Sequence, residues 1–311
     1  MKKGEYVKDT GLVSNMSDLA TEQLAAISRL FSSSIVQEMG KKGRSPLFAR
    51  LARQSRLPDF LSPSDCVAAL FEAAFTLLKR EGYRHEYIYK AALTHKILLG
   101  VHSLQTASMM NEFRVGECKA DVAILNGTAT VYEIKSERDS LSRLERQIAA
   151  YSTVFAKVYV IAAEGHVAAV ERAVPDFVGI MQLNRRHRIS TLREAVEQPE
   201  RTLPSAIFDS IRIAEARMIL LSLGVTVPTV PNTRLHATLR EEFVKLNPIQ
   251  AHAEMVRVLK RTRNLLPLSS LVDQLPRSLQ PAALSVPLRK ADHERLVMAV
   301  NSRLDDALGW A

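Results

Sequence analysis

The stretch Lys119-Ala120-Asp121-Val122-Ala123-Ile124-Leu125-Asn126-Gly127-Thr128-Ala129-Thr130-Val131-Tyr132-Glu133-Ile134-Lys135 decides how this chain is read. Two runs of alternating or β-branched residues flank Asn126-Gly127, a strong short-range signal for a β-hairpin. On the second strand Glu133 and Lys135 stand at i and i+2, so they share one face while Ile134 points to the other. Asp121 lies on the partner strand at nearly the same height. A two-residue loop at Asn126-Gly127 would pair Asp121 with Tyr132 and put the two carboxylates on opposite faces. A shared site needs Asp121 level with Glu133. That requires an odd-length loop or a bulge near Asn126-Gly127-Thr128, with Gly127 supplying the positive φ.

Outward from the hairpin the pattern becomes mixed. Upstream, helices are expected from about Ser64 to Lys79 and from about Glu86 to Leu99, the latter stopped by Gly100. A short strand is expected at Glu112–Val115. Downstream, Leu141, Leu144, Ile148, Tyr151 and Phe155 mark a helix over about Ser140 to Phe155. The apolar run Val158–Ala162 reads as a strand buried on both faces. A further helix and strand are expected over Val167–Val174 and Phe177–Leu183. The expected fold class is therefore α/β, a mixed central sheet flanked by helices, with a helical N-terminal arm and an all-α C-terminal region. The segments are 1–60, a helical basic arm; 61–200, the sheet-bearing core; and 201–311, a helical region whose prolines, from Pro228 to Pro287, punctuate short helices.

Composition bounds the rest. The chain has 311 residues, enough for roughly two domains. It is 47% hydrophobic, which supplies a core and excludes wholesale disorder. Lys and Arg exceed Asp and Glu to give a formal charge of +9, favouring a polyanionic partner. Two cysteines, Cys66 and Cys118, are too few for a disulfide scaffold or a four-cysteine zinc site. Met1–Thr10 has no apolar segment of the secretory kind, and no apolar run of about 18 residues occurs, so the expectation is a cytoplasmic protein without a membrane span. Met39–Pro58 contains no acid but has Lys41, Lys42, Arg44, Arg50, Arg53 and Arg56. Such a run is either a solvated face or a phosphate-contacting arm. Arg185, Arg186 and Arg188 form a second basic cluster.

Two carboxylates brought together repel, and a cation between them relieves the repulsion. All-oxygen ligands suit Mg²⁺ or Mn²⁺. An adjacent lysine could orient water or steady a developing phosphate charge, which is what phosphodiester hydrolysis needs. The plainer alternative for Glu133 and Lys135 is a surface ion-pair ladder.

Ala120-Asp121, Glu133-Ile134-Lys135 and the following helix, with Gln147 and Tyr151 at i and i+4, resemble the PD-(D/E)XK nuclease superfamily and its restriction-endonuclease-like fold. The resemblance covers about Glu86 to Ala162. It implies Asp121 and Glu133 as metal ligands, Glu112 and Glu86 as further acids, Lys135 as catalytic, and Gln147 and Tyr151 as positioning residues. It also implies a magnesium-dependent nuclease acting on nucleic acid, DNA favoured; the basic clusters offer Lys41, Lys42, Arg44, Arg185, Arg186 and Arg188 as its backbone contacts. Ala120 stands where the superfamily's name has proline. Many such nucleases are dimers, so a homodimer is one arrangement the resemblance allows. The rival expectation is a catalytically silent nucleic-acid-binding, regulatory or partner-docking protein on the same fold.

Overall fold

A computed structural model describes residues 19–227 and 229–311. The Met1–Thr10 segment and Pro228 lie outside the described residues. The chain divides into two compact units. One runs up to Thr94 and resumes at Pro267–Ala311, and the other is His95–Leu266. This division differs from the three consecutive segments expected. The basic arm and the last 45 residues share a unit, whereas residues 201–266 belong with the sheet.

The first unit is helical. Its upstream helices are Thr21–Arg29, Ser33–Lys42, Pro46–Ser55, Val67–Leu78 and Glu86–Leu93. Ser45 caps the third, its hydroxyl accepting from the Phe48 N–H at 3.0 Å, and Pro46 occupies the first turn, where no N–H is needed. Val67–Leu78 is apolar on nearly all sides and is the buried centre. It begins at Val67, not Ser64, because the backbone at Cys66 is extended and bridges to Arg303. Aromatic rings fill the space around it: Phe31 stacks on Tyr87 with centroids 4.6 Å apart, and Phe48 tilts against Trp310 at 5.6 Å.

The second unit carries a six-stranded sheet in the order β1-β2-β3-β4-β5-β6. The strands are β1 Ser108–Val115, β2 Cys118–Asn126, β3 Thr128–Lys135, β4 Lys157–Ala163, β5 Gly179–Leu183 and β6 Ile189–Arg193. β1, β2 and β3 form an antiparallel meander. β3, β4 and β5 are parallel, joined by crossover helices Leu144–Tyr151 and Val167–Ala173. β6 returns antiparallel to β5. The fold is therefore α/β with a mixed sheet and flanking helices, as the alternation of periods required. β6 was not expected; Ile-Ser-Thr-Leu-Arg is short, partly exposed and follows the arginine cluster.

Both crossover helices bury their apolar sides in one core with the sheet: Leu144, Ile148, Tyr151 and Val170 pack with Leu125, Val131 and Val160. The helices Pro204–Ser210, Ile213–Ser222, Asn232–Val244 and Pro248–Thr262 extend this core through Phe208, Ile219, Phe243, Met255 and Leu259. Among the described residues no helix is long and apolar enough to cross a membrane. Cys66 and Cys118 are unpaired thiols.

His252, in the Pro248–Thr262 helix, is buried, and burial pushes its pKa down to about 4 against a smaller opposing pull from Glu197. The unfolded chain takes up this proton near the ordinary histidine value, the folded chain only near 4. The stability this contributes is complete above about pH 6.5 and is lost as the pH falls towards 4. Urea unfolding at pH 7.5 and 4.5 should therefore show a loss that shrinks by up to about 3 kcal/mol in His252→Phe.

Candidate functional site

The hairpin between β2 and β3 sets the site. Asn126 pairs with Thr128, Leu125 with Ala129 and Val122 with Tyr132, with Gly127 alone at the tip at φ 72°. This is the odd register. One further step along the strands brings Asp121 level with Glu133. The ladder gives way there: the Asp121 carboxylate accepts the Ile134 N–H at 2.7 Å, so a side chain replaces a strand carbonyl. Alternation also breaks at this height, since Ala120 and Ala123 both enter the same core. The matching break on β1 lies between Met110 and Phe113, where Glu112 has φ 57°.

On β3, Glu133 and Lys135 face the Leu144–Tyr151 helix. Their exposures are 2% and 5%, so they are not a surface ladder. Lys135 Nζ donates to Glu133 Oε1 at 2.8 Å and to Gln147 Oε1 at 3.0 Å. Tyr151 lies one turn beyond Gln147 and donates its hydroxyl to Glu133 Oε2 at 2.9 Å, with the Lys119 carbonyl at 3.0 Å. Both Glu133 oxygens are thus engaged, and two of the three lysine N–H groups are used. The Tyr151 phenol titrates far above its ordinary range, first because burial disfavours the phenolate and then because the Glu133 charge is adjacent. The structure therefore joins Glu133, Lys135, Gln147 and Tyr151 in one hydrogen-bonded cluster.

The remaining expected ligands, Glu112 and Glu86, are each engaged in a local ion pair. Glu112 is 57% exposed and pairs with Lys119 at 2.5 Å, its positive φ having interrupted the strand. Glu86 opens the Glu86–Leu93 helix in the other unit and pairs with Lys90 one turn on, a helix-surface ion pair. Among the described residues no three acids, histidines or cysteines are arranged to hold a metal ion. The donor set does not fit Mg²⁺ or Mn²⁺: the Glu133 charge is neutralised by Lys135, its other oxygen accepts from Tyr151, and an Asp121 oxygen is committed to backbone. The lysine amine points into this network.

The expected phosphate contacts are divided between the two units. Lys41, Lys42 and Arg44 are exposed in the helical unit, at and just after the end of Ser33–Lys42. Arg185, Arg186 and Arg188 form the β5–β6 turn, which is held by Asn184 Oδ1 accepting the Arg186 and Arg188 N–H groups at 3.0 Å each. Arg185 lies 3.6 Å from Glu164. Arg186 and Arg188 are exposed and enter no ion pair among the described residues. Two further exposed arginines, Arg143 and Arg146, were not anticipated and are likewise outside any such pair. The signal existed: Arg143 precedes Gln147 by one helical turn.

The class this defines is an α/β protein with a closed, buried acid–lysine cluster between β3 and the crossover helix, and with exposed arginines in the β5–β6 turn. A profile of the family described as Bacteriophage P4 protein cII matches residues 79–265, more than half of the chain, and the chain belongs to that family. Protein cII of Enterobacteria phage P4 is 32% identical over 99 residues, which is 31% of this chain and 34% of that protein. The aligned stretch thus spans about a third of the relative's length. No solved structure matches. These findings overturn the nuclease-superfamily resemblance and the metal-dependent nuclease it implied. Asp-(x)n-Glu-x-Lys on a hairpin is short, and the same residues serve here as a buried network.

Removing one partner of a buried pair strands the other's charge. Lys135→Ala should lower unfolding stability by about 3–5 kcal/mol. The double substitution Lys135→Met with Glu133→Leu, which removes both charges, should recover most of that loss. Chemical denaturation of the two variants checks this, and a fully stable Lys135→Ala contradicts it.

Proposed function

We propose that this protein is a nucleic-acid-binding regulatory protein that contacts duplex DNA through phosphates and does no hydrolysis. The observation that carries the reading is a set of exposed arginines, outside any ion pair among the described residues, on the segments that follow the parallel strands β3 and β5. Lys135 on β3 is level with Ala162 on β4, and Ala162 with Gln182 on β5, so these strands end at one edge of the sheet. Arg143 and Arg146 follow β3, and Arg186 and Arg188 follow β5. Strands two positions apart are separated by roughly 10 Å, a span comparable with a few backbone phosphates. Guanidinium groups match phosphate geometry through paired N–H donors.

Membership of the cII family supports a regulator over a hydrolase. The formal charge of +9 supports a polyanionic partner. In this reading Glu133, Lys135, Gln147 and Tyr151 fix the crossover helix, so that Arg143 and Arg146 are held at the edge.

Phosphate binding releases counterions, so affinity must fall steeply with salt. Fluorescence anisotropy with a duplex DNA oligonucleotide, repeated across salt concentrations, measures this slope. Replacing Arg143, Arg146, Arg186 and Arg188 by Ala should reduce it by about 3.6 for four lost contacts. The DNA should stay intact with Mg²⁺ or Mn²⁺ present. A wild-type protein that does not bind, or a slope unmoved by the four substitutions, sinks the proposal.

A further inference from the structure

We propose that the helical unit holds a separate binding site for a phosphate-bearing ligand. The site is a cavity of about 590 Å³ lined by Lys41, Pro287, Leu288, Arg289, Asp292 and Arg295. That volume lies within the range of small-ligand sites. Three cations meet one carboxylate there.

The carboxylate is already satisfied from within the unit. Asp292 accepts from Arg295 Nη2 at 2.5 Å and from the Arg289 backbone N–H at 3.0 Å. Arg295 also donates through Nε to the Gly40 carbonyl at 2.8 Å. Arg295 and Asp292 therefore cancel and form a fixed wall. Lys41 and Arg289 remain: both are exposed, and neither side chain enters an ion pair among the described residues.

The wall is close-packed. A Cβ at Gly40 would stand 3.0 Å from Leu288 Cδ2 and 3.4 Å from Asp292 Cβ, so glycine lets the Ser33–Lys42 helix approach Lys290–Asn301. This approach places Lys41, the next residue, beside the start of the second helix. Pro287 and Leu288 add an apolar side.

The chemistry selects the ligand class. Two uncompensated cations beside a neutralised pair leave a surplus of two positive charges. A phosphate carries about −1.5 to −2 at neutral pH, whereas a single carboxylate carries −1. A guanidinium offers paired donors to phosphate oxygens, and a lysine adds a point charge. The apolar side would accept the sugar or base of a nucleotide. Such a phosphate can belong to a free nucleotide or to a nucleic-acid backbone. The site does not depend on the arginines at the sheet edge.

The test is calorimetric titration of the full chain with three probes: inorganic pyrophosphate, a nucleoside triphosphate and a duplex DNA oligonucleotide. Lys41→Gln combined with Arg289→Gln should weaken binding of at least one probe tenfold or more, with the melting temperature unchanged. Lys41→Arg, which keeps the charge, should retain binding. The Arg186→Ala, Arg188→Ala variant should leave pyrophosphate binding as it was, which separates this site from the sheet edge. Loss confined to the small probes assigns a free phosphate compound, and loss confined to the duplex assigns a backbone phosphate; either supports the site. No binding of any probe by the wild type, or binding undiminished in the double variant, overturns it.

Discussion

The buried pair of Glu133 and Lys135 governs the second unit. β3 is where the sheet changes character, with antiparallel β2 on one side and parallel β4 on the other. Two charges placed inside such a strand must be satisfied locally, because water cannot reach them. Gln147 and Tyr151 satisfy them, and both belong to the helix that leads to β4. Tyr151 also reaches the Lys119 carbonyl on β2. One network thus ties two strands to the crossover helix and fixes that helix's rotation and depth. An apolar set would be free to slide; a carboxylate that needs two donors from particular positions is not.

The same closure explains why these residues make a poor reaction centre as arranged. A ligand must offer lone pairs, and Glu133 has given its oxygens to a lysine and a phenol. Lys135, 5% exposed, has two of its three N–H groups held by Glu133 and Gln147. Charge available to a partner lies elsewhere, on arginines at strand ends and on Lys41 and Arg289 in the helical unit. The molecule therefore separates inward-facing charge, which sets geometry, from outward-facing charge, which is free to meet an anion.

Much of the sheet unit was legible from local signals. Asn126-Gly127 between two β-rich runs gives the hairpin; its odd register about Gly127 followed only from requiring Asp121 level with Glu133, whereas in the structure it keeps Ala123, Leu125 and Val131 on one core face. The i, i+4 spacing of Gln147 and Tyr151 puts both on one helix face, and the structure turns that face to β3. What failed was the chemistry assigned to that meeting. Glu112 has the right residue type on the right strand, yet its positive φ turns it out to Lys119. Glu86 has the right type in the right order, yet it sits in the other unit and pairs along its own helix. A spacing pattern specifies which residues share a face, not whether an acid there is already neutralised.

By itself the sequence determined the α/β class, the hairpin, the shared face of Glu133 and Lys135, and the shared helix face of Gln147 and Tyr151, because period, turn chemistry and helical spacing act over a few residues. Tertiary structure alone decided that the chain's end joins its beginning in one unit while residues 201–266 extend the sheet's core. It also decided that the acid–lysine cluster is closed. Both outcomes depend on which distant surfaces bury one another, and burial is a property of the folded whole that no local pattern encodes.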